Sequence, residues 1–442
     1  MRRIKQLTMK KIKQILCLVL LLSLMPVLHV QGSVLDYAYE SGQNAEYEKY
    51  ETEQKAVVFT YDEALQMAIE NSLPIQDIDT RLHNMHLDLR YMLLELEVQF
   101  FGINARMQIE RTETSIIRYT RRLHSRIQEW ERLHHTREER IPGREARHSL
   151  YEFERQIENL RLHRQQTELI KELALRSATV NLLEIELNIA VLQEELNFAH
   201  ENLRRLTLAN ELGIVSVRDL NDAQHGLSQG YVGLEELLRN QYTARRDLNY
   251  LIGQPLSQYT VIEFDLELIE LPQNIEAYIY SVVANSLTIR QSQLQLESVL
   301  GERWIYTGNN QDIRISIHDR QRLRTSNNNP DIIRIRNRVA LQDAVERAEQ
   351  GHEQAIRTLE AAINRGFTDL EGLLDLEAAL ERELTQAQTA LDVAITSFDL
   401  GRATRLDIEA ARLAIFQVEQ DIEKLRNSMW ILTFILENPD LL

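Results

Sequence analysis

The chain has 442 residues with only 15 Gly and 7 Pro, a shortage of breakers that excludes collagen-like, loop-rich and most all-β designs. At 44% hydrophobic and 26% charged residues it holds enough apolar material for a core and is no disordered polymer. Its 67 acidic against 50 basic residues, a net charge of -17, make it a poor general nucleic-acid binder.

At the N-terminus, Arg2, Arg3, Lys5, Lys10, Lys11 and Lys13 precede an apolar run over 15–30 and a small-residue exit at Gly32-Ser33. This pattern predicts a secretory signal peptide over 1–32. A membrane anchor would want about 20 apolar residues, and this shorter run contains Pro26. The single cysteine, Cys17, lies inside the run, so the exported chain has neither disulfides nor cysteine metal sites. Export also removes six basic residues, leaving 44 basic against 67 acidic and a balance of -23. No later stretch is apolar enough for a transmembrane helix, so any membrane crossing would have to be a β-barrel.

Residues 33–58 are acidic and Tyr-rich without helical period and read as a flexible arm. Thr60 with Glu63 then reads as a capping box that opens the first helix. From there the chain repeats itself. Asn71-Ser72-Leu73 with Ile75 recurs as Asn285-Ser286-Leu287 with Ile289, and Leu212-Gly213 with Ser216, Asp219 and Leu220 recurs as Leu400-Gly401 with Thr404, Asp407 and Ile408. The helices leading into these turns also match. Leu182, Ile185, Ile189, Leu192, Leu196, Ala199, Leu203 and Leu206 keep 3-4-3-4 spacing, and Leu370, Leu373, Glu377, Leu380, Leu384, Ala387, Leu391 and Ala394 keep the same register. Each set predicts a coiled-coil seam. The expected domains are a first repeat over 59–255 with an insert at 106–164, a linker over 256–273, and a second repeat over 274–442 with an insert at 303–338. Within the linker, Val261 to Phe264 reads as a short extended piece.

In each turn the glycine can take the left-handed conformation that ends a helix, Ser216 or Thr404 can cap the next helix, and Asp219 or Asp407 lies at its positive end. The expectation is a mainly all-α fold of long antiparallel helical hairpins. From its seam, the ascending helix of the first repeat is expected over 169–212, about 65 Å long.

Together, these features resemble the TolC family of outer-membrane efflux ducts. The matching residues are Ala64, Leu65, Ala68 and Asn71 in the opening helix, the duplication, and the Leu-Gly-x-x-(Ser/Thr)-x-x-Asp-(Leu/Ile) turns. The resemblance implies a homotrimeric, passive conduit without cofactor, docking to a periplasmic adaptor (membrane fusion) protein and an inner-membrane pump. On that basis Gly213, Ser216, Asp219, Gly401, Thr404 and Asp407 are the docking tips. Asp407 also matches an aspartate of the family's acidic constriction, while the family's second acidic position is Ala410 here, beside Glu409. The resemblance places the protein in the outer membrane or cell envelope.

The inserts depart from the family, whose members place two β-strands in each repeat and close a 12-stranded barrel from three chains. The first insert has 14 Arg and 10 Glu, no Lys or Asp, and Pro142-Gly143 as its only strong breaker, so it reads as two charged helices around a turn. The second offers Ile313, Ile315 and Ile317 in alternation, then Asn327-Asn328-Asn329-Pro330, as short strands at best. A barrel-less coiled-coil envelope spacer or adaptor without channel activity is therefore the alternative. Both inserts are net positive within an acidic chain, either as a solvated helical face or as a contact for an anionic envelope polymer or lipid through Arg121, Arg122, Arg126 and Arg137.

His134-His135, with His124 and His148, lacks the i, i+4 spacing of helical zinc pairs, so no metal site is expected. Acid pairs such as Glu194-Glu195 read as solvated helix surface. Nothing in the sequence supports an enzyme.

Overall fold

The computed structural model describes residues 57–102, 112–264, 272, 274–307 and 330–442. The expected signal peptide, the expected arm up to residue 56, and the Ile313 to Asn329 stretch with its expected short strands lie outside the described residues. The elements are β1 (Val57–Thr60), α1 (Tyr61–Glu70), α2 (Leu73–Phe101), α3 (Glu113–Leu133), α4 (Arg137–Glu211), α5 (Val217–Ile252), β2 (Thr260–Glu263), α6 (Ile275–Asn285), α7 (Leu287–Thr307), α8 (Pro330–Asp399), α9 (Arg405–Glu437) and a closing 3-10 turn (Pro439–Leu441). The fold is mainly α-helical and built from long antiparallel hairpins.

Helix α4 has 75 residues, about 112 Å at 1.5 Å per residue, and α8 has 70, about 105 Å. These two form the spine. Over its first half α4 packs against α2 and α7, and over its second half against α5 and α9. Helix α8 packs against α7 and then α9, so the lower part of the molecule is a layer in the order α5, α4, α9, α8. The ion pairs follow this course: Arg164 of α4 meets Asp79 of α2, Arg290 of α7 meets Glu158, and Arg245 of α5 meets Glu186.

The helices stand because their apolar stripes meet. Around the start of the first repeat, Ala64 and Ala68 of α1 pack on Leu175 of α4 and Leu248 and Ile252 of α5. The matching cluster of the second repeat joins Ile279, Ile363, Phe367, Leu425 and Met429. A third cluster fills the first insert with Leu89, Leu93, Ile116, Leu123, Ile127 and Leu150. Each such fully buried side chain stabilises the fold by about 1.5–3 kcal/mol relative to exposure.

Three features differ from the sequence expectations. First, Val57 and Val58 belong to β1 and not to the arm. They pair in parallel with Thr260 and Val261 of β2, which confirms the extended piece in the linker. Val-Val-Phe-Thr favours a strand, but its partner lies two hundred residues away, beyond any local signal.

Second, the long ascending helix starts at Arg137 and not at residue 169, so the second half of the first insert is the beginning of α4. Third, the insert turns at His134 to Thr136 and not at Pro142-Gly143. Thr136 caps α4 and forms a capping box with Glu139, and Pro142 sits inside the helix. Gly143 serves packing: a Cβ there would stand 2.7 Å from Glu131 Cγ and 3.1 Å from the Trp130 ring. The missing side chain brings α3 close to α4, which offsets the hydrogen bond that the proline removes.

Candidate functional site: the paired hairpin tips

Both tips are made by the same backbone device. In the first, Gly213 has φ +71° and the Ile214 amide donates to the Ala209 carbonyl at 2.8 Å. In the second, Gly401 has φ +69° and the Arg402 amide donates to the Ser397 carbonyl at 2.8 Å. These bonds close the helix ends that a residue with a Cβ would close only under strain.

The next helix starts the same way in both. Ser216 Oγ accepts the Asp219 amide at 3.2 Å and donates to Asp219 Oδ2 at 2.7 Å. Thr404 Oγ1 accepts the Asp407 amide at 3.4 Å, while Asp407 Oδ2 accepts the Thr404 amide at 2.7 Å. Asp407 is held below the usual carboxylate range, first by that backbone hydrogen bond and then by the Thr404 hydroxyl. All six residues expected at the tips lie exposed at the ends of the two hairpins. Leu212, Ile214, Val217 and Leu400 surround them as wet apolar side chains, each more than 60% exposed.

The tips lie side by side because α4 packs along α9. Arg205 of α4 is near enough to Asp407 to lower its proton affinity further. Between the helices is a groove of about 780 Å³, lined among others by Phe198, Arg204, Arg405, Glu409, Arg412 and Phe416. Glu409, the acid beside Ala410, is flanked by Arg405 at 3.8 Å and Arg412 at 3.4 Å, so it adds little free negative charge next to Asp407. The groove is not legible in either repeat alone, because each contributes one wall. Phe198 and Phe416, aromatic residues on otherwise aliphatic and polar helix faces, are the local trace of it.

The residues of the first insert divide. Arg121 and Arg122 are exposed on α3. Arg126 instead turns inward to Glu97 of α2, which is 1% exposed, and its guanidinium stacks 3.9 Å above the Phe101 ring. Arg137 is the first residue of α4. The histidines are used in packing: His124 lies 4.1 Å from the Tyr151 ring and His134 lies 3.9 Å from Trp130. Among the described residues no three His, Cys, Asp or Glu side chains converge as a metal site. No described helix is long and apolar enough to cross a membrane.

A duplicated pair of long hairpins with adjoining tips is the fold of the TolC-like outer-membrane channels. Two solved structures carry the comparison. CusC, studied for its folding and transmembrane channel formation, superposes with a TM-score of 0.56 at 12% identity, over 89% of this chain and 95% of that one. The outer membrane protein VceC from Vibrio cholerae gives a TM-score of 0.50 at 13% identity, over 67% of this chain and 75% of that one. No protein-family model and no curated protein matches the chain. The first insert keeps its own character within this fold, since its described residues, 112–164, form helices and the turn between them.

Proposed function

We propose that the chain is an exported, homotrimeric duct component of the cell envelope, a passive conduit that docks through the Gly213 to Asp219 and Gly401 to Asp407 tips to a periplasmic adaptor and, through it, to an inner-membrane pump. The observation that carries this reading is the doubled tip: two turns of one design, side by side, with apolar residues held in water at their ends. Wet apolar side chains at a rigid end favour a partner surface. Asp407 is the candidate constriction residue, and its hydrogen bonds from the Thr404 amide and hydroxyl favour its charged form.

A second reading rests on the helical first insert. A lipid-crossing strand needs about 9–11 residues of alternating character, and helices α3 and α4 occupy the place where such strands would be inserted. On this reading the same hairpins form a soluble envelope tube or spacer.

The test is the size of purified residues 33–442 by light scattering, with and without detergent. A trimer that requires detergent supports the membrane-inserted duct. A trimer in plain buffer supports the soluble tube, and a monomer under both conditions overturns both readings.

A further inference from the structure

Helix α3 has two opposed faces. Ile116, Tyr119, Thr120, Leu123 and Ile127 are buried against α2 and α4. At about 100° per residue, Arg118, Arg121, Arg122, Ser125, Glu129 and Arg132 fall on the opposite side within an arc of about 100°. All six are exposed. From Arg118 to Arg132 the strip runs about 21 Å along the helix.

Elsewhere in this acidic chain exposed arginines either pair one turn away, as Arg81 with Asp77, Arg239 with Glu235 and Arg357 with Glu353, or make no ion pair among the described residues, as Arg365 and Arg382. The α3 strip gathers four arginines of the second kind on one helix face. Arg118, Arg121, Arg122 and Arg132 make no ion pair within 4.0 Å among the described residues, although Arg121 is near enough to Glu154 to lower that group's proton affinity. Arg118 stands three and four residues from Arg121 and Arg122, spacings at which like charges destabilise a helix. With 67 carboxylates in the chain, a shortage of acid is not the reason.

We propose that the outer face of α3 is a docking strip for an extended, phosphate-bearing polyanion of the cell envelope. Guanidinium forks grip phosphate oxygens in pairs, and a row of four along 21 Å suits a linear array of phosphates better than one small anion. A helix that lies in a membrane surface inserts its apolar side. Here that side is already buried in the insert bundle, and the six outward residues supply no apolar anchor. The occupant's place in the envelope rests on the export reading above; the strip does not. Of the arginines named from sequence, Arg121 and Arg122 belong to the strip, Arg126 is committed to Glu97, and Arg118 and Arg132 are added.

The experiment compares purified residues 33–442 with a variant carrying Arg118→Gln, Arg121→Gln, Arg122→Gln and Arg132→Gln. The control carries Arg81→Gln, Arg239→Gln, Arg357→Gln and Arg365→Gln, the same charge change at exposed sites off α3 and outside the tips. Binding is read on immobilised inorganic polyphosphate across a salt series, with circular dichroism as the fold check. The strip variant should lose about tenfold or more in affinity and show a shallower salt dependence, while the control stays near the parent. Equal losses in both variants would overturn the strip. So would binding to phosphatidylglycerol–phosphatidylcholine vesicles without binding to polyphosphate, which would make the ligand a lipid surface. A trimer that ignores polyphosphate counts against the strip alone, and a monomer that binds it counts against the duct alone.

Discussion

The side-chain amide of Asn71 lies against Gly253: its Nδ2 donates to the Met67 carbonyl at 2.8 Å and the Ile252 carbonyl at 3.2 Å, and a Cβ on residue 253 would stand 2.3 Å from that nitrogen. The asparagine that ends the opening helix therefore locks the end of the descending helix. Gly253 also has φ +72°, so it is required twice, by its backbone and by its neighbour. In the second repeat Asp440 does the corresponding work, accepting the Leu287 amide at 2.8 Å and the Thr288 amide at 2.9 Å.

Gly253→Ala should destabilise the first repeat by about 2 kcal/mol, adding left-handed strain to the loss of the Asn71 hydrogen bond. Urea denaturation checks this. In an Asn71→Ala background the same change should cost only the strain, about half as much; an undiminished cost would mean that Asn71 is not the obstacle.

At Gly401 there is only strain to consider, because nothing lies within 4 Å of the position a Cβ would take. Gly401→Asn should be nearly neutral, since asparagine tolerates the left-handed region, whereas Gly401→Val should cost about 1–2 kcal/mol at the turn. Helicity should barely change in either. On the docking reading the valine variant should also lose adaptor binding, measured by pull-down with the purified adaptor; normal binding would argue against a docking tip.

Glu97 is buried and Arg126 is its cation. Arg126→Gln should cost about 2–3 kcal/mol, at or below the lower end for a broken buried pair because Arg126 itself is partly exposed. Adding Glu97→Gln should restore at least part of the loss. A double-mutant cycle by thermal unfolding reads the coupling, and additive effects would show that the two charges do not depend on one another.

Acid should loosen the insert bundle. Burial, and then Arg147, push His124 down to about 4 from its ordinary 6.5. The unfolded chain therefore binds this proton more readily, and stability falls as pH drops from about 6.5 to about 4, by up to about 3 kcal/mol from this group. His86 and His148 are lowered by burial as well and act in the same direction, while Glu154, raised by burial, opposes them. His124→Phe, which retains a ring against Tyr151, should flatten the dependence of melting temperature on pH across this window. An unchanged slope would assign the acid sensitivity to other groups.

The residues that sequence alone could read are those whose reasons are local. The capping box at Thr60, the cap at Thr404, the glycines of the two tips and the seam from Leu182 to Leu206 each involve neighbours within a turn or two of helix. Repetition then amplified them, because the same local solution written twice in register is hard to mistake. Where two local signals competed, sequence chose wrongly: Pro142-Gly143 is the stronger breaker, yet the Thr136 capping box set the start of α4 while Gly143 packed against Trp130.

By itself the sequence determined a long-helical, duplicated chain with two matching tips, since helix periodicity, caps and left-handed glycines act over a few residues. The tertiary structure alone decided what meets across the molecule: Val57 with Thr260, Glu97 with Arg126, Asn71 with Gly253, and the groove between Phe198 and Phe416. It also decided that Arg126 faces inward and Arg118 outward. Those outcomes depend on which helices pack and at what height. That is set by the summed burial of whole apolar stripes, which no short segment of the chain encodes.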